Sequence, residues 1–186
     1  GWWKAIMSAA KRLLAKKLVP VDDIIAVSAT TQWSGTVPVD QDGNHLMNAI
    51  IWMDCRGHNS MDHFLKSPIK ISGYPLVTLM QWLKISGGGP ALSGKDSVSH
   101  ILWLKKDCSD IYKKTYKFLE PKDYINLRLT GKFAATYDSI LLHWVTDNRD
   151  PSHVVYDNTL LKFTGLDREK LPFLIRAVDV LGTLKK

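Results

Sequence analysis

From Ile25 to Gly57 the chain reads IAVSATTQWSGTVPVDQDGNHLMNAIIWMDCRG. Its two apolar runs, IIAVSAT and AIIWM, are too short for stable helices and carry the Ile and Val that suit buried strands. Between them TVPVD leads into a turn at Gln41, Asp42, Gly43 and Asn44, which predicts a hairpin. Ahead of them Trp2, Ile6, Ala9 and Leu13 recur at helical spacing, with Trp3, Ala10 and Leu14 widening the stripe, so an amphipathic helix is predicted from about Trp2 to Leu18, stopped by Pro20. A helix followed by strand, hairpin and strand requires a mixed α/β sheet and excludes a helical bundle.

Further along, helical patterns and loops alternate from Asn59 to Leu83, and Gly87, Gly88, Gly89 and Pro90 mark a flexible connection. A helix is expected from Val98 to Lys106, then a short one capped by Ser109 and running to Lys114, then a strand from Tyr116 to Leu119. In PKDYINLRLT, Pro121 suits a first helical position and Gly131 a stop, which defines a compact helix. KFAATYDSILLHWVTD is expected to be a loop leading into an apolar helix, and TLLKFTGL a last helical segment. There is no internal repeat or low-complexity tract.

With 45% hydrophobic and 23% charged residues over 186 positions, the composition is that of a globular domain or a substantial piece of one. No apolar run reaches the roughly 18 residues of a membrane span. Cys55 and Cys108 match no zinc-ligand spacing, so reduced, cytosolic thiols are expected. The formal charge of +7 raises nucleic-acid binding. Lys11, Arg12, Lys16 and Lys17, however, fall on the polar side of the first helix, and Lys105, Lys106, Lys113, Lys114 and Lys117 spread over helix ends, so solvated faces are expected in place of a nucleic-acid surface.

Two motifs fail on chemistry. Gly89 to Asp96 reproduces the spacing of a phosphate loop, but Asp96 occupies the position that needs a magnesium-binding hydroxyl, and no buried strand precedes it. Histidines 45, 58, 63, 100, 143 and 153 contain no i, i+4 pair, so no metal site is expected.

The opening stretch is the remaining candidate. Thr30, Thr31, Gln32, Trp33 and Ser34 at one strand end and Asp54 and Arg56 at another combine hydroxyl-binding groups with a flat apolar face, a set suited to a polyol or sugar at the edge of an α/β sheet. The residues equally allow a structural reading. In that reading Trp33 and Trp52 lie in the core, Thr30 and Ser34 cap or turn the backbone, and Asp54 pairs locally with Arg56.

AVSATTQWSGTVPVDQDG and AIIWMDCRG resemble the first strand and hairpin of the FGGY carbohydrate kinases, whose pattern runs Gly-Gln-Met-His-Gly, then Asp-x-x-Gly, then Trp-x-Asp-x-Arg. ILWLKKDCSDIYKKTYKFLEPKDYINLRLTGKFAATYDS and GLDREKLPFLIRAVDVLGTL continue the resemblance in order, most closely to xylulokinase-like members. It implies an α/β, ribonuclease H-like (actin-like ATPase) N-terminal domain over residues 1–186, lacking its first phosphate-binding strands. The implied reaction is transfer of the γ-phosphoryl of Mg-ATP to a sugar hydroxyl, that of a ketopentose such as xylulose.

The resemblance carries substrate contacts onto Gln32, Trp33, Ser34, Asp54 and Arg56. Trp33 and Ser34 replace side chains that usually touch the sugar, which leaves sugar identity open. The Asp-x-Gly-Thr hairpin, the catalytic Asp and the adenosine site of the family have no counterpart here. The resemblance therefore implies an inactive fragment holding neither ATP nor magnesium, with an exposed sheet edge through which copies self-associate. The rival reading is a non-catalytic sugar-binding or protein-interaction module.

Overall fold

The computed structural model describes residues 1–185, the side chain of His63 excepted. The chain divides into two compact units, Gly1–Thr30 and Thr31–Lys186.

In the first unit α1 spans Trp2–Ala15, and none of its residues is buried. α1 ends three residues short of the expected Leu18, where Lys17 takes a φ of 49°, and a 3-10 turn at Val21–Asp23 follows Pro20. The strand expected from Ile25 is not formed: no residue between Ile25 and Thr31 pairs in a ladder, and Ile25 is 97% exposed. A strand is stable only when a neighbour takes up its N–H and C=O groups, and this segment has no such neighbour among the described residues.

The second unit contains β1 (Val37–Val39), α2 (Asp62–Leu65), β2 (Lys70–Ile71), β3 (Tyr74–Pro75), α3 (Leu76–Ile85), α4 (Ser97–Asp107), α5 (Ser109–Lys114), β4 (Lys117–Leu119), α6 (Pro121–Thr130), β5 (Ala134–Thr136), β6 (Thr146–Asp147), β7 (Val155–Tyr156), α7 (Asn158–Thr164) and β8 (Phe173–Ile175). β1 runs antiparallel to β4 with Val37 opposite Leu119, and β5 runs parallel to β8. β2 with β3 and β6 with β7 form two-residue antiparallel pairs.

The turn after β1 forms where the sequence places it. Asp40 Oδ1 accepts from the N–H groups of Asp42 and Asn44, at 3.0 and 2.8 Å, and Gly43 takes the left-handed φ of 78° that closes such a turn. The second apolar run does not become a strand. Only Ile50 pairs, exchanging backbone hydrogen bonds with Thr36 at 2.8 and 3.0 Å, before the chain turns at Ile51.

α6 starts at Pro121 and stops at Gly131 with φ 79°, as its residues dictate. Ser109 opens α5 as its first residue, and Cys108 takes the capping position without a side-chain bond. The apolar helix expected around Ile140 is replaced by β5 and a 3-10 turn at Ile140–His143. Two long-range contacts override local propensity there. Ala134–Thr136 pairs with β8, and Trp144 is turned to φ 55° with its indole N–H donating to Asp96 Oδ2 at 2.6 Å.

The core gathers around α3 and α4. Trp82 is fully buried, edge-on to Phe64 at 5.4 Å and to Phe163 of α7 at 6.5 Å, and donates to the Trp144 carbonyl at 3.1 Å. Ile101, Leu104, Phe118, Leu160 and Leu171 complete the packing.

Candidate functional site

The first turn and a half of α4 is buried on every side, so Ser97, Ser99 and His100 go inside with Val98, Ile101 and Leu102. Burial of polar groups is costly unless each is hydrogen-bonded. Ser99 Oγ donates to Met61 Sδ at 2.9 Å, whereas Ser97 and His100 reach the segments that carry the sugar-type side chains.

His100 bridges two of them. Its Nε2 lies 3.0 Å from the Asp54 carbonyl and its Nδ1 lies 3.2 Å from Thr36 Oγ1. A carbonyl only accepts, so Nε2 carries the proton and Nδ1 accepts from the threonine hydroxyl. Burial lowers the His100 pKa, in keeping with a neutral ring.

Ser97 Oγ makes a short hydrogen bond to Glu120 Oε1 and lies 3.4 Å from the Gly35 carbonyl, while Gly35 N–H donates to Glu120 Oε2 at 2.8 Å. Burial pushes the Glu120 pKa up to about 8. Asp123, one turn along α6, is pushed up to about 7 by burial and accepts from Ser139 Oγ at 2.6 Å.

Trp33 and Ser34 sit beside this network. Ser34 has φ 60°, a left-handed conformation uncommon for a residue with a Cβ, and its hydroxyl donates to the Lys95 carbonyl at 2.8 Å. Gln32 is exposed. Trp33 is 52% exposed, which removes it, and likewise the 50% exposed Trp52, from the core that the structural reading allowed. Gly35 is required by close approach: a Cβ there would stand 2.5 Å from the Pro121 ring.

Asp54 and Arg56 do pair locally. Arg56 Nε and Nη2 reach the Asp54 carboxylate at 2.8 and 2.7 Å, and these hydrogen bonds hold the Asp54 pKa below its ordinary value. The guanidinium also lies over the Trp103 ring of α4, 4.7 Å from its centre.

The site therefore has two flanks, Gln32–Ser34 and Asp54–Arg56. Asp54–Arg56 is anchored to α4 through His100 and Trp103, and Gln32–Ser34 to Lys95 just before α4, with adjoining Gly35 beside Ser97; no hydrogen bond or ring contact joins one flank to the other among the described residues. Sequence reasoning missed the anchors His100, Ser97 and Glu120. The one legible signal was Glu120 itself, a carboxyl at the end of the apolar strand KFL.

The loop with phosphate-loop spacing is closed on itself. Asp96 Oδ2 accepts from Ala91 N–H at 2.7 Å as well as from Trp144, so a carboxylate fills the place a phosphate would need. Among the described residues no group of three or more His, Cys, Asp or Glu side chains could hold a metal ion. Cys55 is exposed and Cys108 half-buried, both free thiols, and among the described residues no helix is long and apolar enough to cross a membrane.

Comparison with known proteins gives consistent matches. Xylulose kinase of Staphylococcus xylosus is 31% identical over 130 residues, 70% of this chain and 24% of its own length. That of Bacillus subtilis is 27% identical over 187 residues, 98% of this chain and 34% of its own length. Among solved structures, a xylulose kinase from Brucella ovis superposes with TM-score 0.77 at 22% identity, over 99% of this chain and 35% of that one. Glycerol kinase of Plasmodium falciparum superposes with TM-score 0.75 at 19% identity, over 97% and 34%.

The expected actin-like fold is the fold of these neighbours. The chain spans about a third or less of the length of these relatives. The model for "FGGY family of carbohydrate kinases, N-terminal domain" matches residues 1–186, and the chain belongs to that family.

Proposed function

We propose that residues 1–186 are the sugar-facing N-terminal domain of a longer ATP-dependent kinase that phosphorylates a hydroxyl of a ketopentose such as xylulose. The observation that carries this reading is the exposed Trp33 on a left-handed Ser34, beside a glycine that tolerates no side chain. A large aromatic left half in water on a conformationally costly turn is the arrangement of a ligand platform.

In this reading Trp33 stacks on the apolar face of the sugar, Gln32 and Ser34 bond its hydroxyls, and Arg56, oriented by Asp54, reaches it from the other flank. The names of the similar xylulose kinases support the ketopentose. Similarity to an L-fuculokinase and to a glycerol kinase makes other polyols the comparison set. ATP and magnesium would be held by residues outside this chain, so no step of the transfer is assigned to the residues described.

The test is steady-state kinetics of the complete kinase with xylulose, ribulose, fuculose and glycerol, before and after Trp33→Ala. A sugar KM raised at least five-fold with ATP KM within two-fold is expected. An unchanged sugar KM removes Trp33 from the site, and absence of phosphorylation of any of the four compounds removes the kinase reading in favour of a binding module.

A further inference from the structure

Gln32–Ser34 has little structure of its own: among the described residues the segment has no strand partner, and its one long-range hydrogen bond runs from Ser34 Oγ to Lys95. The next residue is held far more tightly. Gly35 N–H donates to Glu120 Oε2 at 2.8 Å, the Gly35 carbonyl lies 3.4 Å from Ser97 Oγ, and Ser97 Oγ closes the circuit on Glu120 Oε1. Glu120 and Ser97 are both at most 2% exposed, and the Pro121 ring lies against Gly35. A carboxyl costs much to bury, and here its two oxygens are spent on one peptide unit and one hydroxyl, with no cation paired to it among the described residues.

We infer that Glu120 is a positioning residue for sugar recognition: with Ser97 it clamps both polar groups of Gly35 and so holds Trp33 and Ser34 in the conformation that meets the sugar. This rests on the sugar-facing reading of Gln32–Ser34 given above. The clamp suits a neutral acid better than a carboxylate. With the proton on Oε1, that O–H donates to Ser97 Oγ, and the serine O–H is then free to donate to the Gly35 carbonyl, while Oε2 accepts from Gly35 N–H. Burial pushes the Glu120 pKa up to about 8, in keeping with a neutral acid, and a glutamine amide likewise presents an acceptor oxygen beside a donor NH2 group.

The experiment is steady-state kinetics of the complete kinase carrying Glu120→Ala, Glu120→Gln, Ser97→Ala or, as the control on the underlying reading, Trp33→Ala. Glu120→Ala is expected to raise the sugar KM at least five-fold with ATP KM within two-fold, Ser97→Ala to raise it less, and Glu120→Gln to stay within two-fold of the parent. A carboxyl that merely filled space would move sugar and ATP constants together or neither, and that result overturns the inference. If Trp33→Ala raises the sugar KM and neither Glu120→Ala nor Ser97→Ala does, the clamp alone is wrong. If Trp33→Ala has no effect, the sugar-facing reading fails and the inference fails with it. Should Glu120→Ala not fold, Ser97→Ala, which deletes one oxygen, decides the question by the same criterion.

Discussion

Thr36 and Asp54, at the heads of the two flanks of the candidate site, are joined through one imidazole: Thr36 Oγ1 donates to His100 Nδ1 at 3.2 Å and His100 Nε2 donates to the Asp54 carbonyl at 3.0 Å. The bridge replaces the ladder that the second apolar run does not form. Removing it leaves a buried hydroxyl and a carbonyl unpaired as well as a cavity. His100→Ala is therefore expected to destabilise the fold by about 2–4 kcal/mol. Urea unfolding would show this as a lower midpoint at constant m; a midpoint shift worth less than about 1 kcal/mol would mean that the flanks are held by something else.

The Asp54–Arg56 pair separates stability from binding. Arg56 is 43% exposed at its side chain, and ion pairs of that exposure contribute at most about 1 kcal/mol. Arg56→Ala is expected to leave thermal stability nearly unchanged while raising the sugar KM of the complete kinase several-fold. A large fall in midpoint with an unaltered KM would make the pair structural only.

Glu120 makes stability depend on pH in a defined direction. Its pKa is about 8 in the fold against an ordinary 4.5, so between these values the folded state binds more protons than the unfolded one. Stability from this group is complete below 4.5 and is lost as pH rises through about 8. Asp123, raised to about 7, acts in the same sense and, with Asp96, opposes ionisation of Glu120. His143, lowered to about 4 by burial, acts oppositely and adds stability as pH rises from 4 to 6.5. Glu120→Gln should flatten the decline of melting temperature from pH 6.5 to 8, and parallel curves for parent and variant would refute the assignment.

Gly35→Ala places a methyl 2.5 Å from the Pro121 ring, where neither the backbone nor a proline can yield cheaply. Overpacking of this kind costs about 1–3 kcal/mol. The variant is expected to lose that much in denaturant unfolding and to weaken sugar binding with it. Wild-type behaviour in both would mean that the contact relaxes freely.

Trp82→Ala removes the largest buried side chain and orphans the Trp144 carbonyl, which predicts a loss of about 3–5 kcal/mol in calorimetry. Trp82→Phe, which keeps the ring but not the N–H, should cost less.

Local chemistry was legible wherever a residue acts on its own backbone. Pro121 and Gly131 bracket α6, Asp40 and Gly43 close the hairpin turn, Pro20 follows α1, and each is a constraint on φ or on a nearby N–H that any context respects. Five side chains of the proposed site were named from Gln32–Ser34 and Asp54–Arg56, and the pairing of Asp54 with Arg56 was foreseen as one alternative.

Partners distant in sequence were not legible. IIAVSAT and AIIWM read as strands because of what they contain, yet strand formation depends on a neighbour that residue types alone do not supply. Ala134–Thr136 became a strand because residues 173–175 arrived beside it. Likewise a glutamate before a proline carries no sign that its carboxyl will meet Gly35 and Ser97. The sequence by itself determined the hairpin turn, the two ends of α6, the amphipathic helix and the inventory of sugar-type side chains, all of which act over a few residues, while the cap expected at Ser109 fell one residue earlier, on Cys108. Only the tertiary structure decided which buried polar groups of α4 had to be satisfied, and Gly35, Thr36 and Asp54, which meet Ser97 and His100, adjoin or belong to the segments of the candidate site.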